Sequence, residues 1–156
     1  MLDEHYLEYR VASTRYFFNM LDHIGIPLMR PAGGHAVYID ARTMYPQIPA
    51  TEFPGIALAN ALYLEGGVRA VEVGTLMFGK QGPNGADIPA PLDLVRLTIP
   101  RRTYTQSHAD YLGEIVQEVY ERRPEARGYR VVKQSAVLRA FTAELEPVTT
   151  PAYSPT

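Results

Sequence analysis

The chain has no cysteine, which excludes disulfides, thiolate nucleophiles and thiolate zinc sites. Lysine is almost as scarce. Of the 15 lysines and arginines, only Lys80 and Lys133 are lysine, so chemistry that needs a side-chain amine has little to draw on. No apolar run approaches the ~20 residues of a membrane span. The opening Met1-Leu2-Asp3-Glu4-His5 is acidic and polar, unlike the basic start and apolar core of a signal peptide; the expected setting is the cytoplasm. A net charge of -2 gives no electrostatic reason to expect nucleic acid or an anionic membrane as partner. The histidines His5, His23, His35 and His108 form neither an HExxH motif nor an i, i+4 pair, so no metal is expected.

What is present is an ordinary globular composition, 46% hydrophobic and 21% charged over 156 residues, enough to bury a core in a single domain. Leu7, Val11, Phe18 and Leu21, flanked by Phe17 and Ile24, predict a helix from Asp3 to Ile24, stopped by Gly25 and Pro27. A short strand over 25–31, a Gly33-Gly34 turn and a strand His35–Asp40 follow. After a connector over 41–50, Thr51 can cap a helix to Glu65 that tolerates Pro54 in its first turn. Val68–Val73 reads as a strand, and 79–91 as a Gly/Pro loop. Leu94–Ile99 is the clearest strand: Val95, Leu97 and Ile99 share one face, Leu94, Arg96 and Thr98 the other. Ser107 with Asp110 resembles a capping pair for a helix whose apolar residues, Leu112, Ile115, Val116, Val119 and Tyr120, keep helical spacing. Tyr129–Lys133 and Leu138–Leu145 read as strands. The fold class is therefore α+β, an antiparallel or mixed sheet covered by three helices. Residues 1–146 make one domain and the Pro/Ser/Thr-rich 147–156 a flexible tail.

Chemistry-bearing motifs are few. His108 beside Ser107 and Asp110 invites a triad reading, but a helix cap with His108 in the first turn explains it better, and there is no G-x-S-x-G elbow. The glycines around Lys80 match neither a P-loop nor a dinucleotide fingerprint. Arg96 stands apart, a charge in mid-strand with only Leu94 and Thr98 as face-mates. Either an acid from elsewhere in the chain pairs with it, or it offers a two-pronged donor to a carboxylate or phosphate ligand. Sequence physics leaves both open.

Around that arginine runs Val95-Arg96-Leu97-Thr98-Ile99-Pro100-Arg101-Arg102-Thr103-Tyr104-Thr105-Gln106. With Gly33-Gly34-His35-Ala36, Gly67-Val68-Arg69-Ala70-Val71-Glu72-Val73-Gly74 and Leu138-Arg139-Ala140-Phe141-Thr142-Ala143 in the same order, it resembles the small C-terminal domain of the β-eliminating lyases, the tryptophanase and tyrosine phenol-lyase family of fold-type I enzymes. Such enzymes use pyridoxal 5'-phosphate to release pyruvate, ammonia and a leaving group from an amino acid. The resemblance implies that Arg96 binds the substrate α-carboxylate. It also puts Val73 where phenol-lyases carry an arginine for the phenolic hydroxyl, which points to tryptophan as substrate and indole as product. Ala140 stands where tryptophanases have a histidine and phenol-lyases a phenylalanine, whereas Phe141 matches both. That departure leaves space and points to other β-substituted amino acids, such as cysteine or serine derivatives, as alternative substrates, beside tyrosine as the family's other choice.

The same resemblance locates what is missing. The family's cofactor-binding lysine, phosphate-cradling glycine turn and pyridine-facing aspartate belong to a large domain that matches nothing here. Neither Lys80 nor Lys133 corresponds to that lysine. The chain thus reads as a fragment with no catalytic residue of its own. Its partners would be the amino-acid substrate and the missing large domain, in a homotetramer, with a potassium requirement left open. A stand-alone domain that binds amino acids or a partner is the competing reading. A small domain of another fold-type I enzyme, such as an aminotransferase, fits the architecture but not the four motifs.

Overall fold

The computed structural model describes residues 3–83, 85–135 and 137–149. In chain order the elements are α1 (Glu4–Ile24), β1 (Ala36–Asp40), α2 (Ala41–Met44), α3 (Pro54–Gly66), β2 (Val71–Val73), α4 (Thr75–Phe78) and β3 (Lys80–Gln81). There follow β4 (Asp87–Ile88), β5 (Leu94–Thr98), α5 (Gln106–Glu121), β6 (Tyr129–Lys133), α6 (Arg139–Thr142) and β7 (Glu144–Pro147).

Residue alternation in β5 decides the layering. Val95 and Leu97 on β5 and Val37 and Ile39 on β1 enter one core with Phe17, Phe18 and Leu21 of α1, Leu58 and Leu62 of α3, and Ile115, Val116 and Val119 of α5. Each of these side chains gains ~1.5–3 kcal/mol by leaving water. The three longer helices therefore share one face of a three-stranded sheet of order β1-β5-β2, antiparallel throughout. The α+β arrangement is the expected one, with two additional two-stranded ribbons, β3-β4 and β6-β7.

Several local expectations are corrected. Leu7 and Val11 are exposed; the buried face of α1 begins only at Thr14 and continues through Phe17, Phe18 and Leu21. The strand over 25–31 shrinks to a single antiparallel bridge, Leu28 to Ile39, because Pro27 and Pro31 have no N–H to extend the ladder. Thr51 does not cap α3. It lies in a 3-10 turn, and α3 starts at Pro54 behind Phe53, which is left-handed at φ 54°. The strand expected from Val68 begins at Val71, since the Val68 N–H closes the end of α3 on Leu62 O. α5 is capped from Thr105, whose N–H donates to His108 Nδ1 at 3.2 Å. Asp110 instead accepts from the Tyr16 hydroxyl at 2.6 Å, tying α5 to α1.

The end of the chain differs too. Leu138–Leu145 is not one strand but α6 followed by β7. Pro147 still belongs to β7, and the Val148 N–H donates to Gly128 O, so the first part of the expected tail is ordered. The rest of it, 150–156, lies outside the described residues.

Candidate functional site

Arg96 sits at the centre of the sheet face that the three helices leave uncovered. In register it stands between Tyr38 on β1 and Val71 on β2. The next rung on that face is Asp40, Leu94 and Val73. Arg96 and Val73 are thus diagonal neighbours, about 7–8 Å apart by sheet geometry. Tyr38, Arg96 and Val73 are half-buried, while Val71 and Thr98 are exposed. Two of the sequence-identified residues therefore share one face.

No carboxylate pairs with Arg96 among the described residues, and its Nε is closed from solvent without a hydrogen-bond partner. An unsatisfied buried donor of this kind costs about 1–3 kcal/mol. The structural alternative for this arginine, a buried acid from elsewhere in the chain, is therefore not met among those residues.

Arg42 shows what a structural arginine looks like here. Its Nε donates to Asp93 Oδ2 at 3.0 Å, its Nη2 to the same oxygen and to Ala90 O at 2.9 Å, and its Nη1 to Pro91 O at 3.2 Å. Asp93 is fully buried, and its other oxygen accepts the Thr75 N–H at 2.7 Å. Glu72, also buried, accepts the Leu76 and Met77 N–H groups at 3.1 and 3.2 Å. Two carboxylates thus receive the free N–H groups at the start of α4, directly after Val73. Gly74 makes the approach possible: a Cβ there would lie 2.5 Å from Asp93 Oδ1 and 2.7 Å from Glu72 Oε1. None of this frame was identified from sequence. Its signal is non-local, since Arg42, Glu72 and Asp93 come from separate segments.

Burial raises the Glu72 carboxyl above its ordinary value of 4.5, and the charge of Asp93 adds to the rise, against the backbone N–H groups that pull it down. A carboxyl with a raised folded pKa binds its proton more tightly in the native chain. Its favourable contribution is full below the unfolded value and is lost as pH rises through the folded one. Glu72→Gln is expected to flatten the decline in stability as pH rises above about 4.5. Urea midpoints of both proteins across that window would show it. An unchanged slope would contradict it.

The other two sequence-identified residues, Ala140 and Phe141, lie on α6, which packs against α4. The route from Arg96 to α6 therefore runs through β2, Val73 and α4. Ala140 is half-buried, whereas Phe141 is 82% exposed, an apolar ring facing solvent. α6 begins behind Leu138, left-handed at φ 55°. Arg139 is largely buried: its Nη1 lies 2.7 Å from Asp87 Oδ1, and its guanidinium carbon is 5.3 Å from the centre of the Phe53 ring.

The two lysines are placed elsewhere. Lys80 is exposed on β3, and Lys133 on β6 pairs with Glu144 at 2.7 Å. Neither offers a buried, unpaired amine of the kind that a pyridoxal phosphate site needs, so the described residues do not fit that cofactor. Among the described residues no group of three or more His, Asp or Glu could hold a metal ion, and no helix is long and apolar enough to cross a membrane.

A family model described as "Beta-eliminating lyase" matches residues 1–115. The tryptophanase of Rhodobacter capsulatus is 52% identical over 146 residues, 94% of this chain and 32% of that protein. That of Hyphomonas neptunium is 50% identical with the same coverage. A tyrosine phenol-lyase of Pasteurella multocida is 41% identical over 146 residues, again 94% of this chain and 32% of the relative. The chain spans about a third of the length of the curated relatives it matches. With a family model covering well over half of its residues, this chain belongs to the beta-eliminating lyases.

Proposed function

We propose that this chain is the small, C-terminal, substrate-gripping domain of a pyridoxal-phosphate-dependent lyase that splits tryptophan into indole, pyruvate and ammonia. The observation that carries the reading is Arg96, a guanidinium on the uncovered sheet face with no acid partner among the described residues, one rung from Val73. A planar fork in that position binds a carboxylate through two parallel hydrogen bonds, and the buried Nε accounts for one unsatisfied donor. Holding the α-carboxylate fixes the direction of the substrate's Cα–H bond, which is where such an enzyme gains rate from orientation.

Selection among side chains would fall to Val73, Ala140 and Phe141. Val73 offers no donor to a phenolic hydroxyl, which favours an indole ring over a phenol. The tryptophanases of Hyphomonas neptunium and Rhodobacter capsulatus, at 50% and 52% identity against 41% for the Pasteurella multocida phenol-lyase, lean the same way. Elimination from a cysteine derivative is the second reading, favoured by Ala140, whose methyl group leaves room and makes no polar contact. The cofactor's amine, its phosphate cradle and the groups that move the α-proton would come from the two thirds of the relatives that this chain does not match. Tetramer assembly and a cytoplasmic setting are carried over from the family in the same way.

The test is a chimera: this chain joined to the part of the Rhodobacter capsulatus tryptophanase that it does not match. Pyruvate release from tryptophan, faster than from tyrosine, is expected. A chimera that folds and takes up the cofactor but turns over no amino acid would refute the reading.

A further inference from the structure

From the packing of α6 we infer that Arg139 is a positioning residue that sets where Ala140 and Phe141 stand, and so tunes the choice between bulky and small substrate side chains. The inference rests on the proposed function, in which those two residues border the substrate. α6 is only four residues long and has no side-chain cap, so its own hydrogen bonds cannot hold it in place. Its entry residue, Leu138, is in the left-handed region at φ 55°, a conformation that a leucine keeps only when its surroundings impose it. Arg139 supplies that constraint.

Its side chain is 15% exposed and that of Asp87 22%, so their pair at 2.7 Å is shielded from water. The pair is held by charge rather than by an aligned hydrogen bond, since Asp87 Oδ1 has no hydrogen-bond partner among the described residues. Phe53 lies under the guanidinium and is itself buried and left-handed. Arg139 thus joins three segments: α6, the β3-β4 ribbon that follows α4, and the start of α3. Its Nε and Nη2 are buried with no partner among the described residues. An arginine that leaves two donors unsatisfied is a poor stabiliser, which fits a residue kept for placement. In sequence the pair is invisible, because Asp87 lies far upstream in a segment that reads as a Gly/Pro loop.

The test uses the chimera with Arg139→Lys, Asp87→Asn and the exchanged pair Arg139→Asp with Asp87→Arg. Phe141→Ala serves as the reference for side-chain selection. The readouts are kcat/KM for tryptophan and for S-methylcysteine, and the inhibition constant of alanine, which has a carboxylate but no large side chain. Arg139→Lys and Asp87→Asn are expected to reduce the tryptophan-to-S-methylcysteine preference about tenfold, with alanine binding unchanged and the exchanged pair restoring part of the preference. A preference unmoved by either single change, while Phe141→Ala shifts it, would overturn the role of Arg139 and leave the site reading standing. If Phe141→Ala also leaves the preference unmoved, α6 does not border the substrate and both fall.

Discussion

In the chimera, Arg96→Ala is expected to lower kcat/KM for tryptophan by about a thousandfold, the usual cost of removing one partner of a buried, hydrogen-bonded charge pair. Both constants should suffer. Without the fork the carboxylate binds more weakly, and what does bind no longer holds its Cα–H bond in the productive direction. Arg96→Lys keeps the charge but replaces a planar, two-pronged donor with a point charge, so it should recover roughly a tenth of the wild-type value or less. The fold should survive either change, because Arg96 is on the uncovered face and pairs with no acid among the described residues. Kinetics indistinguishable from the parent chimera would remove Arg96 from the site.

Asp93→Ala is expected to be the most destabilising single change in the frame behind the site. It would strip Arg42 of its carboxylate and leave the Thr75 N–H without an acceptor inside a fully buried pocket. The partly exposed Arg42 keeps its two carbonyl partners, so the loss is mainly that of the buried acceptor, about 2–3 kcal/mol, out of a total of ~5–15 for a typical domain. For a chain of this size that lowers Tm by roughly 10 °C. Asp93→Asn keeps an acceptor for one of its two partners and should lose about half as much. Thermal unfolding of the three proteins would check this. A change within about 0.5 kcal/mol for Asp93→Ala would mean that the carboxylate does not hold α4 in place. The functional link is direct, since Asp93 lies three positions before Arg96 and accepts from the first residue of the helix that follows Val73.

Those elements whose signals are local could be read from sequence. β5 announces itself by strict alternation, and α5 by apolar residues on one stripe; both stand as expected. Alternation alone also put Arg96 on the face opposite Val95 and Leu97. What alternation could not supply was the register against β2, which brings Val73 to the same face. The short helices were illegible for a related reason. α4 is capped by Glu72 and Asp93, the latter brought from the residue just before β5, and α6 pairs with Asp87 across the ribbon. Leu138–Leu145 looks like a strand until that distant acid is known. Thr51 and Ser107 failed as caps because nearby residues took the role: a 3-10 turn leads into α3, and Thr105 with His108 opens α5. The four site residues came from the motifs that carry the resemblance. Of these, only Arg96 was also marked out by its own physical chemistry.

In the proposed function this chain holds the substrate and the cofactor's amine is supplied elsewhere, a division tested most directly by incubating the purified chain with pyridoxal phosphate, reducing with borohydride and locating any adduct by mass spectrometry. The expected result is scattered, substoichiometric labelling, because Lys80 lies exposed on a two-residue strand and Lys133 is paired with Glu144. A single stoichiometric adduct at Lys80 or Lys133 would contradict the account, since the chain would then hold its own cofactor.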